Sequence, residues 1–453
     1  MSLIVIFLAF LTGGLIAAMS GLEIGFVCVY FPCQLLFSAV DQIPIAYWPH
    51  ISPPHAAIYG VLVGSLLSGR RFPRIRLGLL DAVMVLFPIA VATSTAVTSD
   101  LHFAANRFDT QLMEWLAPYF LARLAFTSEK ARAICVQLLC YSLLGLAVFG
   151  LIEFRFIPYF ISRHLQGWGL WEGANGLVYH RFGFMRAMLA FGHPIDLGNV
   201  MLMFIGMIPV LALTSEIGMS KWYVKAGWAC AFFLLVTAIS FTAYFGVVAI
   251  AAVYLFLKYV RFSRRMLMPM ALVGITVIAI YTSIVLSEKM PPRPPSSDIF
   301  AESLWIRELI VHRGWTMAKV AGWFGYGVSL SEDQLQLASV DNAYLLMVLT
   351  YGWVTLFVFL LIPIVLGSHL SRALKRAQNE FEARPLMIAA ATITGIMIAM
   401  YTVWFGFVYA NIYVVLLGFS ATLADFFLAP RVAPQVEIGF DIPDPQLYTP
   451  LPN

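Results

Sequence analysis

Asp341 and Asn342 stand side by side in the stretch "SVDNAYLLMVLTYGW", where a polar segment gives way to an apolar one. A carboxylate at such a boundary has two readings. It can cap the helix that begins there, because Asp and Asn are favoured N-caps. It can also take a proton from a substrate hydroxyl that comes within hydrogen-bond reach. Arginines stand in two other polar stretches, Arg181 and Arg186 in one and Arg307 and Arg313 in the other. A guanidinium keeps its charge and fits phosphate through paired hydrogen bonds. Arg186 lies eight residues before Pro194, on the approach to an apolar run, where a charge is costly unless paired or wet. Its bland reading is a snorkelling side chain. His193 beside Pro194 reads first as a loop histidine, and Pro194 as a first-turn helix proline. Arg307 and Arg313 are six residues apart and do not share a helix face. Glu308 and His312, at i and i+4, are spaced to pair.

These residues need elements to hold them. Of 453 residues, 61% are hydrophobic and 11% charged, against about 25% charged in soluble domains. This is the composition of a polytopic membrane protein. Its apolar runs do not alternate, which favours spanning helices over a barrel. They fall near 2–19, 22–40, 55–69, 77–97, 108–124, 131–153, 195–214, 224–240, 241–258, 266–286, 342–367, 386–404 and 408–428. The expected fold is an all-α transmembrane bundle of 12–13 spans, the doubt being whether 2–40 holds two helices or a helix and a re-entrant piece. "GVLVG" at 60–64 is a Gly-xxx-Gly that lets two helices approach closely. The five cysteines lie in apolar runs without Cys-x-x-Cys spacing and read as buried packing residues. No carboxylate cluster calls for a metal, and no cofactor is expected.

Lys and Arg gather at 70–76, 123–132, 258–265 and 372–384. With these spans all four groups fall on one side, assigned to the cytoplasm, and the net charge of +4 is a topology signal rather than a nucleic-acid signal. No basic residue precedes Arg70, so the side of the N-terminus stays open. The transmembrane domain is taken as 1–428 and the Pro-rich tail, 429–453, as disordered and cytoplasmic. Two long polar connections, 154–194 and 287–341, then share the outer face. The first is rich in aromatics, arginine and glycine, which suit sugar rings and phosphates. The second reads as a short helix over 301–322 that ends in a Gly-rich turn at Gly325 and Gly327 and lies in the interface or over the bundle.

Together these features resemble the bacterial O-antigen ligase and O-antigen polymerase (Wzy-type) superfamily. The family pattern near its catalytic end is His-Asn, nine residues, Gly, two residues, then a small or hydroxyl residue. This chain has Asp341-Asn342, then Gly352, then Thr355. An arginine before a "hP" element is matched by Arg186 and "GHPID". An arginine in the outer-loop helix, then a Gly-rich turn, is matched by Arg307 and "GWFGYGVS". The family often carries Ser-Arg at a later tight turn, where this chain has Ser240 but Phe241. The resemblance covers roughly residues 80 to 425. Asp in place of His looks more like polymerases than ligases.

The resemblance implies an enzyme of the bacterial inner membrane with its site facing the periplasm. It would polymerise undecaprenyl-pyrophosphate-linked oligosaccharide into exopolysaccharide or O-antigen-like chains, by metal-independent, inverting glycosyl transfer. Asp341 would be the base, and Arg186 and Arg307 would stabilise the pyrophosphate leaving group. Asn342, His193, Arg181, Arg313 and Ser240 would bind substrate. Membrane lipid is a further partner, with room for chain-length-determining and export proteins and none for nucleic acid. A ligase that moves finished glycan to an acceptor is the alternative within the class. A transporter or flippase of lipid-linked sugars is the alternative outside it, disfavoured because the acids Glu23, Asp81, Glu153 and Asp425 sit near span ends.

Overall fold

A computed structural model describes residues 2–37, 43–45, 48–70, 72–167, 180–181, 183–259, 299–327, 342–401 and 407–429. The expected span at 266–286 and the tail lie outside them. The fold is an all-α bundle, and its strands among these residues are two short hairpins, β1 (Ile43–Ile45) with β2 (Trp48–Ile51) and β3 (His180–Arg181) with β4 (Phe184–Met185). Eight helices among the described residues are long and apolar enough to cross a membrane, so the chain is a multi-pass membrane protein. They are α1 (Ser2–Ser20), α4 (Leu79–Thr98), α6 (Glu129–Arg155), α8 (Pro194–Leu213), α10 (Phe241–Tyr259), α12 (Ala343–Arg376), α13 (Glu380–Met400) and α14 (Phe407–Leu428). Three shorter apolar helices pack among them: α2 (Leu22–Leu36), α3 (Pro53–Leu67) and α9 (Trp222–Thr237). A bent helix, α5, covers 101–125. On the connections lie α7 (Phe160–Gly167) and α11 (Ile299–Ala318).

Residues 2–36 therefore form two helices, broken at Gly21, whose φ of 100° suits glycine. Both α2 and α5 contain a π-helical turn, Phe26–Tyr30 and Leu112–Leu116. Each turn is followed within two residues by a proline, Pro32 or Pro118. Proline lacks the N–H of the regular ladder and crowds the preceding carbonyl, and a widened turn relieves that clash.

The glycine pattern at 60–64 does what its spacing predicts. A Cβ at Gly60 would collide with the Phe10 carbonyl, and one at Gly64 with the Gly14 carbonyl. Gly13 faces Ala57 in the same way, so α1 and α3 run parallel with their backbones in contact. Arg70, just past α3, donates to the Met19 carbonyl at 2.6 Å. Residue 2 thus stands at the opposite end of the bundle from Arg70, which answers what the loop charges left open.

The described members of the basic clusters share one face, Arg71, Arg261, Arg264 and Arg265 lying outside the described residues. Arg123, only 2% exposed, bridges Asp81 on α4 and Asp425 on α14 and donates to the Arg76 carbonyl at 2.9 Å. Tyr119 adds a hydroxyl to Asp81 at 2.9 Å, and His369 on α12 holds Asp425 at 2.7 Å. Arg132 reaches the Thr214 carbonyl at the end of α8, and Lys258 pairs with Glu380. A buried ion network holds only when every charge is met, and this one ties four helices together at the basic face. At the other end, here the loop face, stand the heads of α8, α12 and α14 and the elements α7, β3, β4 and α11.

Candidate functional site

Segment 183–193 enters the bundle between α6, α8 and α9. Residues 186–191 are all buried. Glu153, fully buried near the end of α6, holds this segment by accepting from the backbone N–H groups of Met188 at 3.0 Å and Leu189 at 2.8 Å. It also accepts from Ile161 at the start of α7 at 3.0 Å. One carboxylate thus satisfies three backbone donors and joins α6, α7 and the segment. Ala187 donates to the Thr237 carbonyl at 3.0 Å and completes the anchorage.

Arg186 is set by this scaffold. It is 6% exposed, and its Nε donates to the Ala238 carbonyl at 2.9 Å, in the tight turn between α9 and α10. Arg181, on β3, approaches the same turn. It donates to the Ile239 carbonyl at 3.1 Å and stacks over the Phe241 ring at 5.1 Å. Ser240 in that turn is 2% exposed, packed against the Cα of Gly198. His193 caps α8, its Nδ1 accepting from the Ile195 N–H at 3.1 Å, and Pro194 takes the first helical position. Two arginines, Ser240 and the head of α8 thus come together at the loop face.

The second half of the site is built around Gly352. There α12 breaks, with φ 81° and ψ 178°, a conformation essentially confined to glycine. The break frees backbone groups inside the bundle, where each needs a partner. The glycine turn after α11 supplies most of them. Tyr326 donates to the Leu349 carbonyl at 2.7 Å and Gly327 to the Thr350 carbonyl at 3.1 Å. Val354 in turn donates to the Trp323 carbonyl at 3.3 Å, and the Thr355 hydroxyl covers the Tyr351 carbonyl at 3.1 Å. Gly325 lies so close that a Cβ there would meet Gly352 N at 2.7 Å. The Ser94 hydroxyl of α4 donates to the Phe324 carbonyl at 2.7 Å. The spacing from Asn342 to Gly352 and Thr355 therefore has a structural basis: it places a socket in α12 into which a loop-face turn plugs.

α11 spans 299–318 rather than 301–322, and it packs against α12, with Gly314 beneath Leu345 and Trp315 1% exposed. Arg307 lies on this helix, though its side chain falls outside the described residues. Arg313 is half-buried on the same helix. The Glu308–His312 pair that the spacing allows is not formed: Glu308 is exposed, and His312 Nδ1 is buried without a hydrogen-bond partner among the described residues.

Asp341 lies outside the described residues. The cap of α12 is its neighbour Asn342, whose Oδ1 accepts from the Leu345 N–H at 2.9 Å. Asn342 is 2% exposed and its Nδ2 has no partner among the described residues. The capping role expected for Asp341 is therefore filled by Asn342, which leaves both Nδ2 hydrogens of Asn342 for another group.

Three polar residues inside or at the head of apolar helices were not singled out by sequence. Asp196 and Asn199 lie one turn apart on α8, and Glu114 is 5% exposed in the π-helical turn of α5. Glu114 makes no hydrogen bond or ion pair among the described residues, with Arg107 acting on it electrostatically. Its place within a helix qualifies the expectation that acids stay near span ends. Among the described residues no group of three His, Cys, Asp or Glu side chains could hold a metal ion. A cavity of about 470 Å³ opens at the far end of α12, lined by Lys258, Gln378 and Glu380. It belongs to the basic face and is remote from the arginines.

Comparison with protein-family models and with curated proteins gives no match for this chain.

Proposed function

We propose that this protein is a membrane glycosyltransferase that lengthens lipid-pyrophosphate-linked oligosaccharide at the loop face, a polymerase of the Wzy type. The observation that carries this reading is Arg186. It is a buried guanidinium held by a backbone carbonyl and reached by a segment that Glu153 anchors. A fixed cation at the head of a spanning helix is suited to a developing pyrophosphate charge, which needs donors that do not reorganise. The helix N-terminus of α8 adds a partial positive charge on the same side.

Two further observations agree with the resemblance to the polymerase and ligase superfamily. The family's Ser-Arg turn lacks its arginine here, but Arg181 brings a guanidinium to the same turn, stacked on the phenylalanine that replaced it. The pattern of Asn342, Gly352 and Thr355 corresponds to a cap, a helix break and the hydroxyl that covers a freed carbonyl.

On this reading Arg307 from α11 and Arg186 from the first connection hold the pyrophosphate, while Arg181 and Arg313 bind other parts of the substrate. A sugar hydroxyl attacks the anomeric carbon as the bond to the pyrophosphate oxygen breaks. Asp341 takes the hydroxyl proton, and Asn342 Nδ2 orients that carboxylate or a sugar hydroxyl. One displacement inverts the anomeric centre, and the arginines supply the charge that a divalent metal would otherwise bring. The protein works in a bacterial inner membrane with the loop face toward the periplasm.

A transporter of lipid-linked sugars is the second reading. It is favoured by Glu114, buried within a helix, and by the break in α12, since broken helices and intramembrane acids mark transport sites. The size profile of lipid-linked saccharide in cells separates the readings. A ladder that collapses to single repeat units without the gene and with Arg186→Ala is the expected result. Full-length chains stranded on the carrier would indicate a ligase, and units trapped on the inner leaflet a transporter.

A further inference from the structure

The heads of α8 and α14 adjoin at the loop face, and the head of α8 carries polar groups that nothing among the described residues satisfies. Asn199 is fully buried, and both its Nδ2 and its Oδ1 lack hydrogen-bond partners among the described residues. One turn closer to the loop face, roughly 4.5 Å along the axis, stands Asp196. It is partly exposed, and its carboxylate makes no hydrogen bond or ion pair among the described residues. Tyr409 of α14 lies within electrostatic range of Asp196 and of Tyr344 of α12. Buried amides are almost always satisfied, so a fully orphaned one points to water or a ligand.

The chemistry of the ligand follows from what these groups offer. Asp196 supplies acceptors and a negative charge, and Asn199 one acceptor face and two donors. A phosphate would be repelled by Asp196. A divalent cation would find one carboxylate where it needs several oxygen ligands. An apolar group would leave every one of these atoms unpaired. Hydroxyl groups, which both donate and accept, satisfy all of them.

Geometry separates these groups from the arginines. Gly198 faces Ser240 and Ala243 of α10, on the flank of α8 where Arg186 lies. Asn199 is about 60° around the helix from Asp196, whereas Gly198 is roughly 160° from it. The hydroxyl-seeking groups therefore occupy the flank of α8 away from the arginines.

We propose that Asp196, Asn199 and Tyr409 form a subsite that binds the hydroxyl groups of the acceptor saccharide, separate from the arginine flank that holds the lipid pyrophosphate. The assignment of the saccharide as acceptor rests on the polymerase reading above. Asp196 and Asn199 hold the acceptor, and proton transfer at the anomeric carbon belongs elsewhere.

The test is isothermal titration of the full-length, detergent-solubilised protein with the cell's own repeat-unit oligosaccharide, freed of its lipid pyrophosphate. In parallel, chain extension is assayed with the intact lipid-linked donor. The variants are Asn199→Leu and Asp196→Asn. Leu is close to Asn in volume and has no polar atom to satisfy, so Asn199→Leu should unfold at the wild-type temperature or above. Both variants should bind the free saccharide about 10-fold or more weakly, the loss expected for a hydrogen bond to a charged or buried group. In extension both should raise the acceptor KM by a similar factor and leave kcat within about threefold, which is the signature of lost binding. Wild-type binding in both variants, or a loss in kcat alone, overturns the subsite and leaves the polymerase reading standing. If the wild type binds the saccharide through Asp196 and Asn199 but never extends it, the subsite stands and the polymerase reading falls. If the wild type does neither, both fall.

Discussion

Gly352→Ala tests how the second connection is held to the bundle. At φ 81° and ψ 178° an L-residue carries strain of about 1–3 kcal/mol. The new Cβ would also collide with the Trp323 carbonyl and the Gly325 nitrogen. Relief requires the turn at 322–327 to withdraw. Withdrawal breaks the bonds from Tyr326 to Leu349, from Gly327 to Thr350 and from Val354 to Trp323. At a net worth of about 1 kcal/mol each, these add about 3 kcal/mol. The docked state should lose about 4–6 kcal/mol, or roughly a 10³- to 10⁴-fold shift in the docking equilibrium. Amide hydrogen exchange read by mass spectrometry in detergent measures this directly. Peptides covering 322–327 should be protected in the wild type and lose most of that protection in the variant. The control is Gly145→Ala, an exposed position within α6 where a Cβ meets nothing within 4 Å. It should leave exchange unchanged or slow it slightly, as Ala suits a helix better than Gly. Protection at 322–327 within tenfold of wild type in Gly352→Ala would refute the socket.

Other consequences are as specific. Glu153→Gln retains the shape but only one acceptor oxygen for three backbone donors, so the thermal midpoint in detergent should fall, by about 1–3 kcal/mol of stability; an unchanged midpoint would contradict that role. Arg123→Met takes the guanidinium from Asp81 and Asp425, leaving them Tyr119 and His369, and should cost about 3–5 kcal/mol; adding Asp81→Asn should recover part of it as a positive coupling in a double-mutant cycle. Additive losses would show that the network is not one unit. Arg186→Lys keeps a charge but loses the planar Nε–H that meets the Ala238 carbonyl, and polymer yield should drop at least about tenfold at unchanged protein level. Asp341→Ala should abolish chain extension while binding of the free saccharide persists, and wild-type extension would remove Asp341 from the mechanism.

What could be read from sequence was local. Most apolar runs located helices within a few residues, but α5 begins seven residues before its run, α12 ends nine after its own and α13 begins six before; "GVLVG" announced the contact of α1 and α3, and Gly325 and Gly327 announced the turn after α11. The described members of the basic clusters share a face as their spacing required. Contacts between distant parts of the chain were not legible. Arg123 meets Asp425 across 302 residues, and neither helix pattern reveals the other. Gly352 was visible as a pattern element, but its reason, a broken helix filled by a turn from the preceding connection, exists only in three dimensions. The cap at residue 342 rather than 341 is a one-residue matter of which side chain reaches back to Leu345. Asp196 and Asn199 carried a signal that composition hides: two polar residues at i and i+3 in an otherwise apolar run, on one face of α8. Arg181 could not be tied to Ser240 by sequence, because β3 and the turn after α9 are 58 residues apart.

The central claim is that this protein makes saccharide chains longer on a lipid pyrophosphate. Purified protein in liposomes, supplied with lipid-pyrophosphate-linked repeat units on the loop-face side, tests it without other components. The account predicts a ladder of lipid-linked chains of increasing length with the wild type and single units with Arg186→Ala. Units that cross the bilayer without growing, or a ladder that Arg186→Ala leaves intact, would contradict it.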